Sequence, residues 1–480
     1  MTVLSKKPLD VFKYTYATCL LIFSLVIVMA LVFTRQTSLS QDSHPAVAFI
    51  VCWITLLWLG MIEGGQCSLV GLPPVNPDLY KESHPLTHKI CIWGHKGDNL
   101  DRYLMGRQFL VVLVVFLINL SCAPLGGATV FGFPDVVITI FLNTGIAMIL
   151  FTTQIGQLAA QCNASHMMLD YINNYFMLVT MYVCMAIEFS GLLHASYLVQ
   201  LAVAKLAGKP IVSNEPPRTG LQSLFFWTRC LVSLAILSYA FAITLTALFQ
   251  GKTTVWNGVP PGVAVVVFFI LMSLIGLLEG MQIAFFAVTK MTKDQQGDSK
   301  CAKMTCEVLF RDGGRNLPGF MIGRQICVVS SMFFVARVCT LNVEVGTGEN
   351  VLGVSDGFQN FLNTGLMAAL ITTIAASVVW QLVASAFPIA FLSNPFVYFM
   401  LRFCLALEAT GICSGAWVLG WLTEKAFGWQ TDEVYIGTPE ERAEKEKQDK
   451  DENYNVGAGH PRIPVQKAGS EEYDLDNVES

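Results

Sequence analysis

Charge is what this chain has least of. Only 14% of its 480 residues are Asp, Glu, Lys or Arg, against roughly 25% in an ordinary soluble domain. Beside 54% hydrophobic residues, that shortage excludes a soluble globular protein. The signatures of zinc proteolysis and nucleotide use are missing as well: there is no H-E-x-x-H and no phosphate-binding loop. Nothing in the sequence therefore calls for an enzyme or a catalytic residue. A basic balance that would hold nucleic acid is also absent. Thr431 to Ser480 carry 14 acids against 6 Lys or Arg, or −8, which leaves the rest near +3 (−5 minus −8). The 14 cysteines form no disulfide pattern, since most, such as Cys19, Cys52, Cys184, Cys230, Cys327 and Cys404, lie in apolar runs. There a thiol behaves as a small hydrophobe.

What the chain does have is long apolar runs, each near the roughly 20 residues that span a bilayer. They predict an all-α polytopic membrane protein with ten helices, at about 14–33, 46–66, 106–123, 136–160, 173–204, 224–249, 261–290, 319–341, 358–386 and 395–424. The first run is too long for a signal-peptide core and has no small-residue cleavage site, so it is retained. Lys209-Pro210 and Pro216-Pro217 divide the chain into residues 1–210 and 211–430. Residues 431–480 form a polar acidic tail with no apolar heptad seam, which predicts cytoplasmic disorder. Lys6, Lys7 and Lys13 favour a cytoplasmic N-terminus, but over all loops the basic residues come out about even on the two sides.

The two halves repeat each other. Glu63-Gly64-Gly65-Gln66 and Gly106-Arg107-Gln108 return as Glu279-Gly280-Met281-Gln282 and Gly323-Arg324-Gln325, at offsets of 216 and 217. Phe141-Leu142-Asn143-Thr144-Gly145 returns unchanged as Phe361-Leu362-Asn363-Thr364-Gly365, at an offset of 220. Gln161 matches Gln381, Asn174 matches Asn394 and Glu188 matches Glu408 at that same offset. Five helices per half is an odd number, so the second half is expected to enter the membrane upside down. That is the inverted-repeat plan of many secondary transporters.

Charged and amide groups at membrane depth are costly and usually functional. Glu63 and Gln66, three apart, share one helix face, as do Glu279 and Gln282. The amides of Gln66, Gln282, Gln108 and Gln325 can bind a neutral hydroxylated solute. Glu63 and Glu279 can pair with Arg107 and Arg324, closing a loop, or hold a coupling cation. Glu188-Phe189-Ser190-Gly191 and Glu408-Ala409-Thr410-Gly411 offer carboxylate, hydroxyl and carbonyl oxygens near the middle of the fifth and tenth helices. Together with Asn143 and Asn363 they are the candidate ion-coupling groups, with a plain ion pair to His194 or Arg402 as the competing reading. Gln154, Gln157 and Gln161 form a stripe that lines a pore or satisfies helix contacts. His84, His88, Cys91 and His95 match no standard zinc spacing and lie in what reads as a polar loop, so no metal site is expected.

Two copies of E-G-x-Q followed by G-R-Q, in ten helices with five-helix repeats, resemble the silicon transporter family of diatoms and related algae. The likeness covers nearly all of residues 1–425. Met167-Met168-Leu169-Asp170 is similar to the family's C-M-L-D segment, with Met167 where the family has cysteine. A mechanism needing a thiol there is thus in doubt for this chain. The resemblance implies uptake of orthosilicic acid by sodium-coupled symport and alternating access, with no cofactor beyond that ion. It also implies a multi-pass protein of the plasma membrane or of an internal silica-forming vesicle. A passive channel, or proton coupling to a related small neutral hydroxylated solute, is the alternative.

Overall fold

In a computed structural model, the protein is described over residues 7–437 apart from 74, 209–214, 257, 290–298, 312–315 and 347. Most of the tail expected to be disordered falls beyond residue 437, outside the described residues. Met1–Thr431 form one compact unit. Of the remaining unit, Asp432–Ser480, the described part holds a single helical turn, Glu433–Ile436.

The described residues are helical, with no strand. We number the longer helices α1 Pro8–Phe33, α2 Pro45–Gly71, α3 Asn99–Cys122, α4 Asp135–Asn143, α5 Ile146–Ala164, α6 Tyr175–Phe189, α7 Ala195–Ala207, α8 Gly220–Phe249, α9 Pro261–Thr289, α10 Asn316–Cys339, α11 Asp356–Asn363, α12 Leu366–Ala384, α13 Pro395–Ala409 and α14 Gly415–Phe427. Seven of these described helices are long and apolar enough to cross a membrane, and the bent pair α4–α5, at 45°, makes an eighth. The protein is therefore a multi-pass membrane protein.

Four of the ten expected helices are not continuous. The fourth and ninth break at Gly145 and Gly365, the fifth and tenth at Gly191 and Gly411. All four glycines have φ between +72° and +81°, a left-handed conformation that glycine adopts without the penalty of a Cβ. At the second pair the hydroxyl completes the stop. Ser190 Oγ donates to Ile187 O and Thr410 Oγ1 to Leu407 O, both at 2.6 Å. Each oxygen then accepts the amide two residues on, from Leu192 and Ile412. Glu188 and Glu408 consequently sit in the last turns of α6 and α13, not in the middle of long spans.

The breaks redirect the chain. In the first half α3 packs between α2 and α6, and in the second α10 packs between α9 and α13. The helix after each break then crosses over: α7 packs on α12, and α14 packs on α5 and α1. Leu150 and Leu158 of α5, Ile326 of α10 and Cys413 and Ala416 at the α13–α14 break share one buried apolar cluster. α5 is thus held between groups of the second half. It also winds as a π-helix over Gln154–Leu158, and α12 does so over the neighbouring positions Thr372–Val378. Such turns are rare and concentrate at functional sites. Pro85–Gly94, expected as loop, is a helix with proline in its first turn and buried Thr87, Ile90 and Cys91 on one side.

Candidate functional site

The glycines of the repeated motifs are explained by close approach. A Cβ on Gly106 would fall on the backbone carbonyl of Cys184, and one on Gly323 on that of Cys404. Only hydrogen at these positions lets α3 meet α6, and α10 meet α13, at the observed spacing. In the other motif, the ring of Tyr171 lies over Gly64 and the ring of Phe391 over Gly280. Tyr171 immediately follows Met167-Met168-Leu169-Asp170, so that segment delivers an aromatic ring onto the first E-G-x-Q motif. Its hydroxyl donates to Gly60 O at 2.7 Å.

With backbones this close, the polar side chains meet. Arg107 Nη2 donates to Glu63 Oε2 at 2.9 Å, and Arg324 Nη2 approaches Glu279 Oε2 at the same distance. All four side chains are 7% exposed or less. Each carboxylate also accepts from the glutamine of a broken helix, Gln161 at 3.0 Å and Gln381 at 2.9 Å. Each guanidinium in turn donates from Nη1 to the amide oxygen of the next residue: Arg107 to Gln108 at 2.9 Å and Arg324 to Gln325 at 3.0 Å. Burying these charges is tolerable because each is paired and hydrogen-bonded.

This chain of contacts orients an amide. An amide has an acceptor end and a donor end. Because arginine holds the oxygen, Gln108 and Gln325 each present their NH2 group away from the ion pair. Gln325 Nε2 donates to Gln157 Oε1 of the opposite half at 2.7 Å. The first E-G-x-Q amide, Gln66, and its counterpart Gln282 are half-buried, and no side-chain bond of either occurs among the described residues. Their amides are available to a ligand. Gln66→Ala and Gln282→Ala are each expected to weaken solute binding without loss of folded protein. Unchanged apparent affinity for uptake in both variants would take these glutamines out of the site.

The other sequence-predicted residues lie apart from this cluster. Glu188 is 6% exposed and accepts from Tyr197 Oη at 3.1 Å, with His194 Nε2 at 3.8 Å. It lines a cavity of about 850 Å³ with Arg102, Glu215, Arg218 and Arg229. Glu408 is half-buried, with its carboxylate beside Gly319. Arg402 is exposed. Asn143 is exposed and its carbonyl accepts from Trp256 Nε1. Asn363 is engaged at both ends, donating to Val343 O and accepting from Gln359.

Met167 and Leu169 are buried and Met168 packs against Gly71. Asp170 bonds His84 Nε2 at 3.1 Å and the backbone N–H of Gln430 at 2.8 Å. His95 reaches Leu69 O, and His88 packs on the Tyr80 ring. Burial pushes the Cys91 thiol up to about 11. Among the described residues no group of three His, Cys, Asp or Glu side chains is arranged to hold a metal ion.

Sequence reasoning did not assign Gln161, Gln381 and Gln157 to the cluster. Their signals were present: Gln161 and Gln381 share the 220 offset, and Gln157 lies on the stripe between Gln154 and Gln161.

The family model described as silicon transporter matches residues 5–468. No curated protein and no solved structure among those compared matches the chain.

Proposed function

From its membership of the silicon transporter family, which supports silicic acid as the solute carried, we propose that this protein is a sodium-coupled symporter working by alternating access. The observation that carries the coupling is the position of Glu188 and Glu408. Each carboxylate sits in the last turn of a half-helix that ends at a left-handed glycine. Helix C-termini carry partial negative charge, and a carboxylate there adds to it rather than offsetting it. At α6, Arg229, donating to Phe189 O at 2.9 Å, supplies part of the relief; a bound cation would supply the rest, and that at α13. Broken helices whose C-terminal ends coordinate sodium are a recurring device of secondary transporters.

The matched offsets, the matched breaks and the exchange of α7 and α14 between halves support an inverted pair of five-segment repeats. The broken fifth and tenth segments then each count as one pass. Two related clusters, one per half, suit a rocking motion that opens them to opposite sides in turn. A passive channel would need no carboxylates at half-helix ends, because silicic acid is largely uncharged near neutral pH.

Silicic acid uptake into proteoliposomes, with and without an inward sodium gradient, tests this reading. Accumulation above the outside concentration is expected, collapsing when sodium is equilibrated. Glu408→Gln should abolish the sodium dependence while leaving the protein folded. Uptake that never exceeds equilibration under sodium would favour the channel, and uptake driven only by a proton gradient would replace the ion. Sodium dependence retained in Glu408→Gln would remove Glu408 from the ion site.

A further inference from the structure

The two clusters share the same Glu–Arg–Gln contacts and the same glutamine on each carboxylate, but they differ where an amide crosses between the halves. Gln157, which accepts from Gln325, lies on the π-helical turn of α5. The same offsets carry that pair onto Gln108 and Ser377, and Ser377 lies on the π-helical turn of α12. α3, which bears Gln108, packs against that turn. Serine is too short to bridge as glutamine does. The hydroxyl of Ser377 is accordingly fully buried with no hydrogen-bond partner. Gln108 is 4% exposed, and its donor end makes no hydrogen bond among the described residues. One half is bridged by an amide pair, while the other has an unbonded amide donor and a buried, unpaired hydroxyl.

Buried polar groups are nearly always hydrogen-bonded, so the Ser377 hydroxyl calls for a partner. Together these groups have a definite chemistry. Arginine fixes the amide oxygens of Gln108 and Gln325, so these two residues can only donate toward the centre. Gln157 Oε1 accepts there, and the Ser377 hydroxyl either accepts or donates. A solute satisfying all four must carry several hydroxyls that donate and accept, and it must be small and uncharged.

We infer that Gln108, Gln157, Gln325 and Ser377 form a single solute pocket at the junction of the halves, for one small neutral tetrahedral hydroxide. The inference rests on the transport reading above and adds to it the site's position and its single occupancy. The solute's hydroxyls lodge between Gln108 and Ser377. They then take over the Gln325–Gln157 bond, which joins the two halves. Because the bridge exists on one side only, a solute has one bond to displace rather than two.

The test exchanges the asymmetric pair. Gln157→Ser and Ser377→Gln are made singly and together, and purified full-length protein is reconstituted for initial-rate silicic acid uptake. Equilibrium binding of radiolabelled germanic acid, also a tetrahedral hydroxide, is measured in detergent on the same samples. Gln157→Ser leaves only a hydroxyl too short to reach the solute; that loss outweighs the bond no longer to be displaced, and KM and the germanic acid Kd should rise together by about tenfold, the size of one hydrogen bond. Ser377→Gln should weaken both similarly by bridging to Gln108. The double variant rebuilds the mirror image of the native pocket and should recover to within about threefold of wild type, a non-additivity that loss of packing does not produce.

Wild-type KM and Kd in folded Gln157→Ser overturn the pocket and leave the transport reading standing. A double variant that shows the summed losses of the singles also overturns it, because the pair would then be structural. Absence of wild-type uptake would sink the transport reading, and germanic acid binding by wild type and Gln157→Ser still decides the pocket.

Discussion

Arg107→Leu and Arg324→Leu should each abolish silicic acid uptake and sharply reduce the amount of folded protein. Each substitution strands a carboxylate, Glu63 or Glu279, that is 6% exposed or less. Breaking a buried pair from one side costs about 3–5 kcal/mol, a large part of the roughly 5–15 kcal/mol that holds a typical domain together. Removing both partners is different. Glu63→Leu with Arg107→Leu leaves no orphan charge, and apolar replacements of buried pairs are often neutral for stability. The double variant should therefore recover monodisperse protein on gel filtration yet stay inactive, because nothing then orients the amide of Gln108. Transport by the double variant at a wild-type rate would mean that the ion pair only holds helices together.

The second large effect is steric. Gly106→Ala and Gly323→Ala place a methyl group on the carbonyls of Cys184 and Cys404. Both obstacles are backbone and cannot rotate away, so the helices must part. Overpacking typically costs 1–3 kcal/mol, and here the displaced helices are those that carry the arginines. We expect a clear fall in the melting temperature of detergent-purified protein, with uptake lost. Gly60→Ala is the control. Its added carbon would sit 3.7 Å from Ala160 Cβ and from the Gly156 carbonyl, an ordinary contact, and it should behave close to wild type. Equal damage at Gly60 and Gly106 would show that close helix approach is not what the motif glycine serves.

Much of this was readable in the sequence because it was written twice. The repeat located both motif pairs, and helix periodicity put Glu63 with Gln66 on one face. Apolar runs placed α1, α2, α8, α9 and α10 to within a few residues at most ends, although α3 starts seven residues before the expected position 106. The breaks at Gly191 and Gly411 were not readable as breaks. An apolar run continues through both, and only the backbone conformation of one glycine interrupts it. The π-helical turns escaped for a similar reason, since one extra residue per turn barely disturbs a run that is apolar on every side. The Gln325–Gln157 bond joins residues 168 positions apart across two halves whose packing no local pattern encodes. Even the asymmetry behind the proposed pocket was visible only as a mismatch at the 220 offset, where Gln157 meets Ser377. Its meaning depends on the position of Gln325.

The pairing of each guanidinium with its own carboxylate also has an electrical consequence. Moving one elementary charge through the membrane potential takes about 2.3 kcal/mol per 100 mV. Arg107 with Glu63, and Arg324 with Glu279, each sum to zero, so either cluster can shift along the field without electrical work. The central amides can then be carried from one side to the other at the same cost in a polarised or a depolarised cell. Any voltage dependence of the transport current would have to originate away from the centre, at Glu188, at Glu408 or in the co-transported ion.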